Sequence, residues 1–115
     1  MRVIIAGSRD FRNYDLLKQK CDEILFGKDE VEIVSGTARG ADKMGEFYAS
    51  EREYPVKLFP ADWNQYGKSA GYIRNKQMAE YANMLICFWD GQRKGAQHMI
   101  NLAKDLGLEV HTIRF

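Results

Sequence analysis

At 115 residues the chain has the length of one domain, with room for a single core and too little for a catalytic unit plus a separate regulatory one. Its 45% hydrophobic and 29% charged residues, with only two prolines, exclude a disordered or low-complexity chain. Seventeen basic against sixteen acidic side chains leave a formal net charge of +1, so no bulk field gathers nucleic acid and any anion site must be local.

The start, MRVIIAGSRD, has one arginine and a short apolar run, too short for the core of an export signal. No apolar stretch approaches the roughly 18 residues of a membrane span, so a cytoplasmic protein without a membrane partner is expected. Val3-Ile4-Ile5-Ala6 reads as the first strand. Tyr14, Leu17, Cys21, Ile24 and Leu25 then follow the spacing of one buried helix face, behind Asn13 as N-cap and ahead of Gly27. Further β-rich runs are Val31–Val34, Val56–Phe59, Met84–Phe88 and Val110–Ile113. The last helix carries Ala96, Met99, Ile100, Ala103 and Leu106 on one face, and Gly107 stops it. Strands alternating with helices predict an α/β fold: a Rossmann-like, doubly wound parallel sheet of five strands over residues 1–115, with helices on both faces. Cys21 and Cys87, without a Cys-x-x-Cys or a neighbouring histidine, read as buried thiols.

In such folds ligands lie outside the carboxyl ends of the strands. Glycine, arginine and hydroxyl residues gather there: GSRDF, SGTARGAD, ADWNQYGKSAGYIRN and DGQRKG each follow one of the first four strands. The loops at the other end (FGKDE, EYP, AEYAN, DLGLE) are acidic or plain. In SGTARGAD, Gly36 and Gly40 allow close backbone approach and Ser35 and Arg39 flank them, ahead of a helix N-terminus that favours an anion. The plain alternative is a tight turn capped by Ser35 or Thr37. It is neither a Walker loop nor a G-x-G-x-x-G fingerprint, since Ala38 takes the middle glycine's place. Asp42 suits the helix dipole but repels phosphate, which points to orienting an arginine or accepting from a ribose hydroxyl.

Gly7-Ser8-Arg9 offers a close-approach glycine, a hydroxyl and a guanidinium, against a plain salt bridge from Arg9 to Asp10 or Asp42. The third loop adds Trp63, Tyr66, Lys68 and Gly71, with Arg74 and Asn75 just inside its helix. Trp63 is either a stacking surface for a base or part of the core. Asp90, Gly91 and Gly95 follow the fourth strand, and His98 lies one turn into the last helix. A lone histidine with no nearby cysteine argues against a metal, and no cofactor is expected.

Together Gly7-Ser8-Arg9, Ser35-Gly36 with Arg39-Gly40-Ala41-Asp42, Gly71 with Arg74-Asn75 and Met78, and Trp89-Asp90-Gly91 with Gly95 and His98-Met99-Ile100 resemble the SLOG superfamily. This Rossmann-like group includes the LONELY GUY nucleotide hydrolases and the DNA-processing protein A family. The resemblance is closest to its small stand-alone YspA, cpYpsA-related branch. It implies a pocket for a phosphorylated nucleotide or an NAD-derived molecule such as ADP-ribose, and a homo-oligomer. In the LONELY GUY motif Pro-Gly-Gly-x-Gly-Thr-x-x-Glu the glutamate assists base–ribose cleavage. Here Gly95 matches the last glycine, Ala96 replaces the threonine and Met99 stands at the glutamate position. A thioether cannot exchange protons, so the expectation is a sensor or sequestering protein that binds its nucleotide-type ligand without efficient turnover. The alternative is a nucleotide N-glycosidase or phosphoribohydrolase using Asp42 or Asp90. Single-stranded DNA binding is disfavoured by the charge balance.

Overall fold

The computed structural model describes residues 1–115. The chain runs β1 (Arg2–Gly7), α1 (Tyr14–Leu25), β2 (Glu32–Ser35), α2 (Ala41–Arg52), β3 (Val56–Leu58), a short α3 (Trp63–Tyr66), a 3₁₀ turn (Gly67–Ser69), α4 (Ala70–Tyr81), β4 (Met84–Trp89), α5 (Lys94–Asp105) and β5 (Glu109–Arg114). All five strands are parallel in the order β3-β2-β1-β4-β5, as the alternation of elements predicts. The chain winds outward from β1 to β3, crosses back and winds out again through β4 and β5. The crevice where the direction reverses therefore opens above β1 and β4.

The central strands are apolar on both faces because helices cover both. Ile4 lies opposite Val34 on one side and Leu85 on the other. Val3, Ile5, Ile33 and Ile86 meet Leu17, Cys21, Tyr48 and Ala49 of α1 and α2 in one core. Ile4, Val34, Leu85 and Cys87 meet Met78, Met99, Ile100 and Ala103 of α4 and α5 in the other. Cys21 and Cys87 are buried free thiols in different layers, and burial pushes both up to about 12.

The helix ends follow local chemistry. Asn13 accepts from the Leu16 N–H at 3.1 Å. Beyond α5, Gly107 takes φ +79° and donates to Lys104 O at 3.1 Å while Leu108 donates to Ala103 O at 2.9 Å, the paired bonds of a Schellman close. The third connection differs from the expected open loop. Asp62 accepts from Gln65 N at 3.1 Å and starts the four-residue α3, which leads through the 3₁₀ turn into α4. No helix is long and apolar enough to cross a membrane.

Candidate functional site

The crevice is closed at its base by tight backbone contacts. A Cβ on Gly7 would collide with the carbonyl oxygen of Phe88, so only glycine lets β1 and β4 end side by side. Ser8 locks the same junction: its N–H donates to Phe88 O at 2.9 Å and its buried hydroxyl accepts from Asp90 N at 3.3 Å. The loop after β2 packs onto the loop after β1 at Gly40, whose added Cβ would lie 2.6 Å from Ser8 O and Arg9 O and whose φ is +81°.

Of the two residues that the plain-turn alternative offers as caps, Ser35 does cap the turn through its hydroxyl, while neither caps α2 itself. Gly40 is the N-cap of α2 and supplies no side chain, so the helix end stays uncapped by side chains. Ser35 is fully buried; its hydroxyl donates to Glu46 Oε2 at 2.6 Å and accepts from Thr37 N at 3.1 Å. Thr37 holds φ +65°, a strained value for a β-branched residue, inside this loop.

Asp42 and Arg74 form the charged centre. Asp42 is 5% exposed and accepts from Ala38 N at 3.2 Å. Burial pushes its carboxyl up to about 6, against the opposing pull of the Arg74 charge and the Ala38 N–H. Arg74 reaches from α4 and donates from Nη1 to Gly36 O and from Nε to Asn75 Oδ1 at 3.1 Å. Nη2 has no hydrogen-bond partner in the chain. A Cβ on Gly36 would lie 2.6 Å from Arg74 Nη1 and 2.8 Å from Asp42 Oδ2, so any larger residue there would displace one of these two side chains.

Above this centre lies a cavity of about 340 Å³. Its floor is apolar, with Ala6, Met78, Ala96 and Met99. Trp63 and Tyr72 stand on its wall, 52% and 47% exposed. Five basic side chains line it (Arg9, Lys68, Arg74, Arg93 and Lys94) against one carboxylate, Asp42. Gly7, Ser8, Gly71, Asn75 and Gly95 complete the part foreseen from the sequence. A neighbouring hollow of about 440 Å³ shares Arg9, Ala38, Trp63 and Arg74 with it and adds Gly36 and Arg39.

Other sequence candidates sit elsewhere. Ser35 and Gly40 are spent on packing. Asp90 lies outside both cavities, and its Oδ1 accepts from Gln92 N at 2.8 Å and Arg93 N at 2.9 Å, which holds its carboxyl below the usual range. Gly91 takes φ +86°, and a Cβ added there would run into the Arg114 guanidinium. Arg9 makes no ion pair with Asp10, which pairs with Arg93 instead. Tyr66 is outside the cavity lining, whereas Tyr72, Arg93 and Lys94 belong to it. The DGQRKG loop signalled the last two by position; nothing in the local pattern distinguished Tyr72 from any exposed helix residue.

A family model described as the YspA, cpYpsA-related SLOG family matches residues 1–66, which include the loops after β1 and β2 and reach Trp63. The chain is also similar to the gene 61 protein of Mycobacterium phage D29, with 31% identity over 119 residues that span 95% of this chain and 93% of that protein.

Proposed function

Because the chain belongs to the YspA, cpYpsA-related SLOG family, we propose that its crevice binds a phosphorylated nucleotide-type ligand of the ADP-ribose kind and holds it without efficient turnover, as a sensor or sequestering protein. The observation that carries this reading is the charge distribution. In a chain of nearly balanced charge, five basic groups and one carboxylate surround a single cavity at the point where strand order reverses. Arg9 and Arg74, common to both hollows, suit a phosphate or diphosphate at the junction. Trp63 and Tyr72 suit a base or ribose on either side.

The weak-turnover part rests on Met99, 2% exposed in the cavity floor where a hydrolase would carry its glutamate. One observation favours the hydrolase as second reading: Asp42, raised to about 6, is the one carboxylate facing the cavity and titrates in the range useful to a general acid or base. The test incubates ADP-ribose, NAD and nucleoside monophosphates with excess protein, measures depletion of the free pool, then releases bound material by heat for mass spectrometry. Return of unaltered ligand supports holding. In a second arm with each compound in large excess over protein, free base or ribose phosphate accumulating over many turnovers overturns it and makes Asp42 the first residue to replace.

A further inference from the structure

Asn75 on α4 lies between partners that admit one orientation of its amide. Arg74 Nε, always a donor, is 3.1 Å from Asn75 Oδ1, so the atom facing it must be oxygen. On the far side Asn75 Nδ2 is 3.4 Å from the Gly95 carbonyl oxygen, which independently demands the NH₂ group there. The same Nδ2 is 3.2 Å from His98 Nδ1. His98 Nδ1 must therefore accept, which makes the imidazole neutral with its proton on Nε2. The run continues through Arg74 Nη1 to Gly36 O, linking α5, α4 and the loop after β2.

We infer that His98 is a positioning residue: its unprotonated Nδ1 holds the Asn75 amide in the orientation that fixes Arg74 against Gly36, and protonation of His98 releases that hold. An imidazolium carries donors on both nitrogens, so Nδ1–H would face the Asn75 NH₂. Turning the amide over would only move the conflict, presenting NH₂ to Arg74 Nε–H and Oδ1 to Gly95 O. In either arrangement a donor or acceptor in a largely buried network loses its partner.

The groups around the relay are few. The Tyr72 ring, also on α4, packs on His98 with centroids 4.4 Å apart. Lys94 precedes His98 by one turn on the same face of α5. Burial holds the imidazole below its ordinary range, which keeps it neutral near pH 7. At the other end of the relay Asp42 neighbours Arg74 and titrates at about 6, so its effect must be separated from that of His98.

The relay lies within the protein and is read without ligand, so its failure is distinct from failure of the nucleotide reading. The full chain, labelled with ¹⁵N, is titrated from pH 8 to 5 while long-range ¹H–¹⁵N spectra report the tautomer of His98 and the Arg74 Nε–H signal. His111, paired with Glu109 at 2.6 Å on β5, is the internal comparison. His98 should be the Nε2–H tautomer at pH 8, and the Arg74 Nε–H signal should shift with the midpoint of His98. In His98→Asn, whose amide oxygen can stand where Nδ1 does but does not titrate, the step at that midpoint should vanish while the signal keeps its high-pH position. In His98→Leu, exchange of Arg74 Nε–H with solvent should be about tenfold faster or more at every pH. A Nδ1–H tautomer in the parent protein, or a step that persists in His98→Asn, overturns the proposal.

Discussion

Asp42 Oδ2 accepts from the backbone N–H of Ala38 at 3.2 Å, so the loop after β2 is closed by a carboxylate that is itself 95% removed from solvent. Burial raises that carboxyl to about 6. Between its ordinary value and 6 the folded chain keeps a proton that the unfolded chain has released, so stability is higher at the acid end and falls as pH rises through 6. Asp42→Asn retains an acceptor for Ala38 and does not titrate. The difference in unfolding free energy between parent and variant should change by on the order of 2–3 kcal/mol from pH 4 to 7, measured by urea denaturation. A pH-independent difference would refute the buried, titrating carboxylate.

Replacing Arg74 by Ala should weaken ADP-ribose binding roughly 10- to 150-fold, the loss of one or two charge-assisted hydrogen bonds, while leaving the sheet intact by circular dichroism. Gly36→Ala should act through the same arginine, because the new methyl would stand 2.6 Å from Nη1. Calorimetric affinities equal to the parent's would remove Arg74 from the site.

Trp63 is 52% exposed, so Trp63→Ala should leave cooperative unfolding nearly unchanged. Ligand-induced quenching of tryptophan fluorescence should disappear with it, although Trp89 remains. Quenching that survives in the variant would move the base away from Trp63.

Gly45 of α2 rests on Ile5 of β1, and an added Cβ would lie 2.8 Å from Ile5 Cβ and Cγ2. The Cβ is fixed by the backbone, and Cγ2 moves only by turning the χ1 angle of a fully buried, β-branched side chain. Gly45→Ala should therefore destabilise by about 1–3 kcal/mol, despite the better helix propensity of alanine. A urea midpoint at or above the parent's would show that α2 can lift off the sheet without cost.

Asp90 is a turn residue in this geometry. Asp90→Asn keeps the acceptor for Gln92 N and Arg93 N and should have a melting temperature close to the parent's, whereas Asp90→Ala should cost about 1–2 kcal/mol. Any slow nucleotide cleavage should persist in Asp90→Asn; its abolition there would restore Asp90 to the chemistry.

The strand runs Val3–Ala6 and Met84–Phe88 were legible in the sequence because a strand covered on both faces has no polar residue to spare. Asn13 and Gly107 marked helix ends because capping is settled within a few residues of chain. The same locality brought Gly7, Arg9, Gly36 and Arg74 forward as site candidates: parallel topology sends everything after a strand to one edge. The four-residue α3 was not legible, since a single turn has no period to detect. Nor was the direction each candidate faces. Ser35 and Gly40 are the right residue types in the right loop, yet packing on Glu46 and on the β1 loop turns them inward. Tyr72 and Lys94 join the cavity only because α4 and α5 lie side by side above β4. Asp42 reads locally as a solvated carboxylate in a first helical turn; its raised pKa comes from burial, which outweighs the opposing charges of Arg9 and Arg74, residues 33 and 32 positions away in the chain. Local pattern determined the elements and the edge that carries the site, while desolvation and the pairing of buried groups depend on distances between elements that only the folded chain sets.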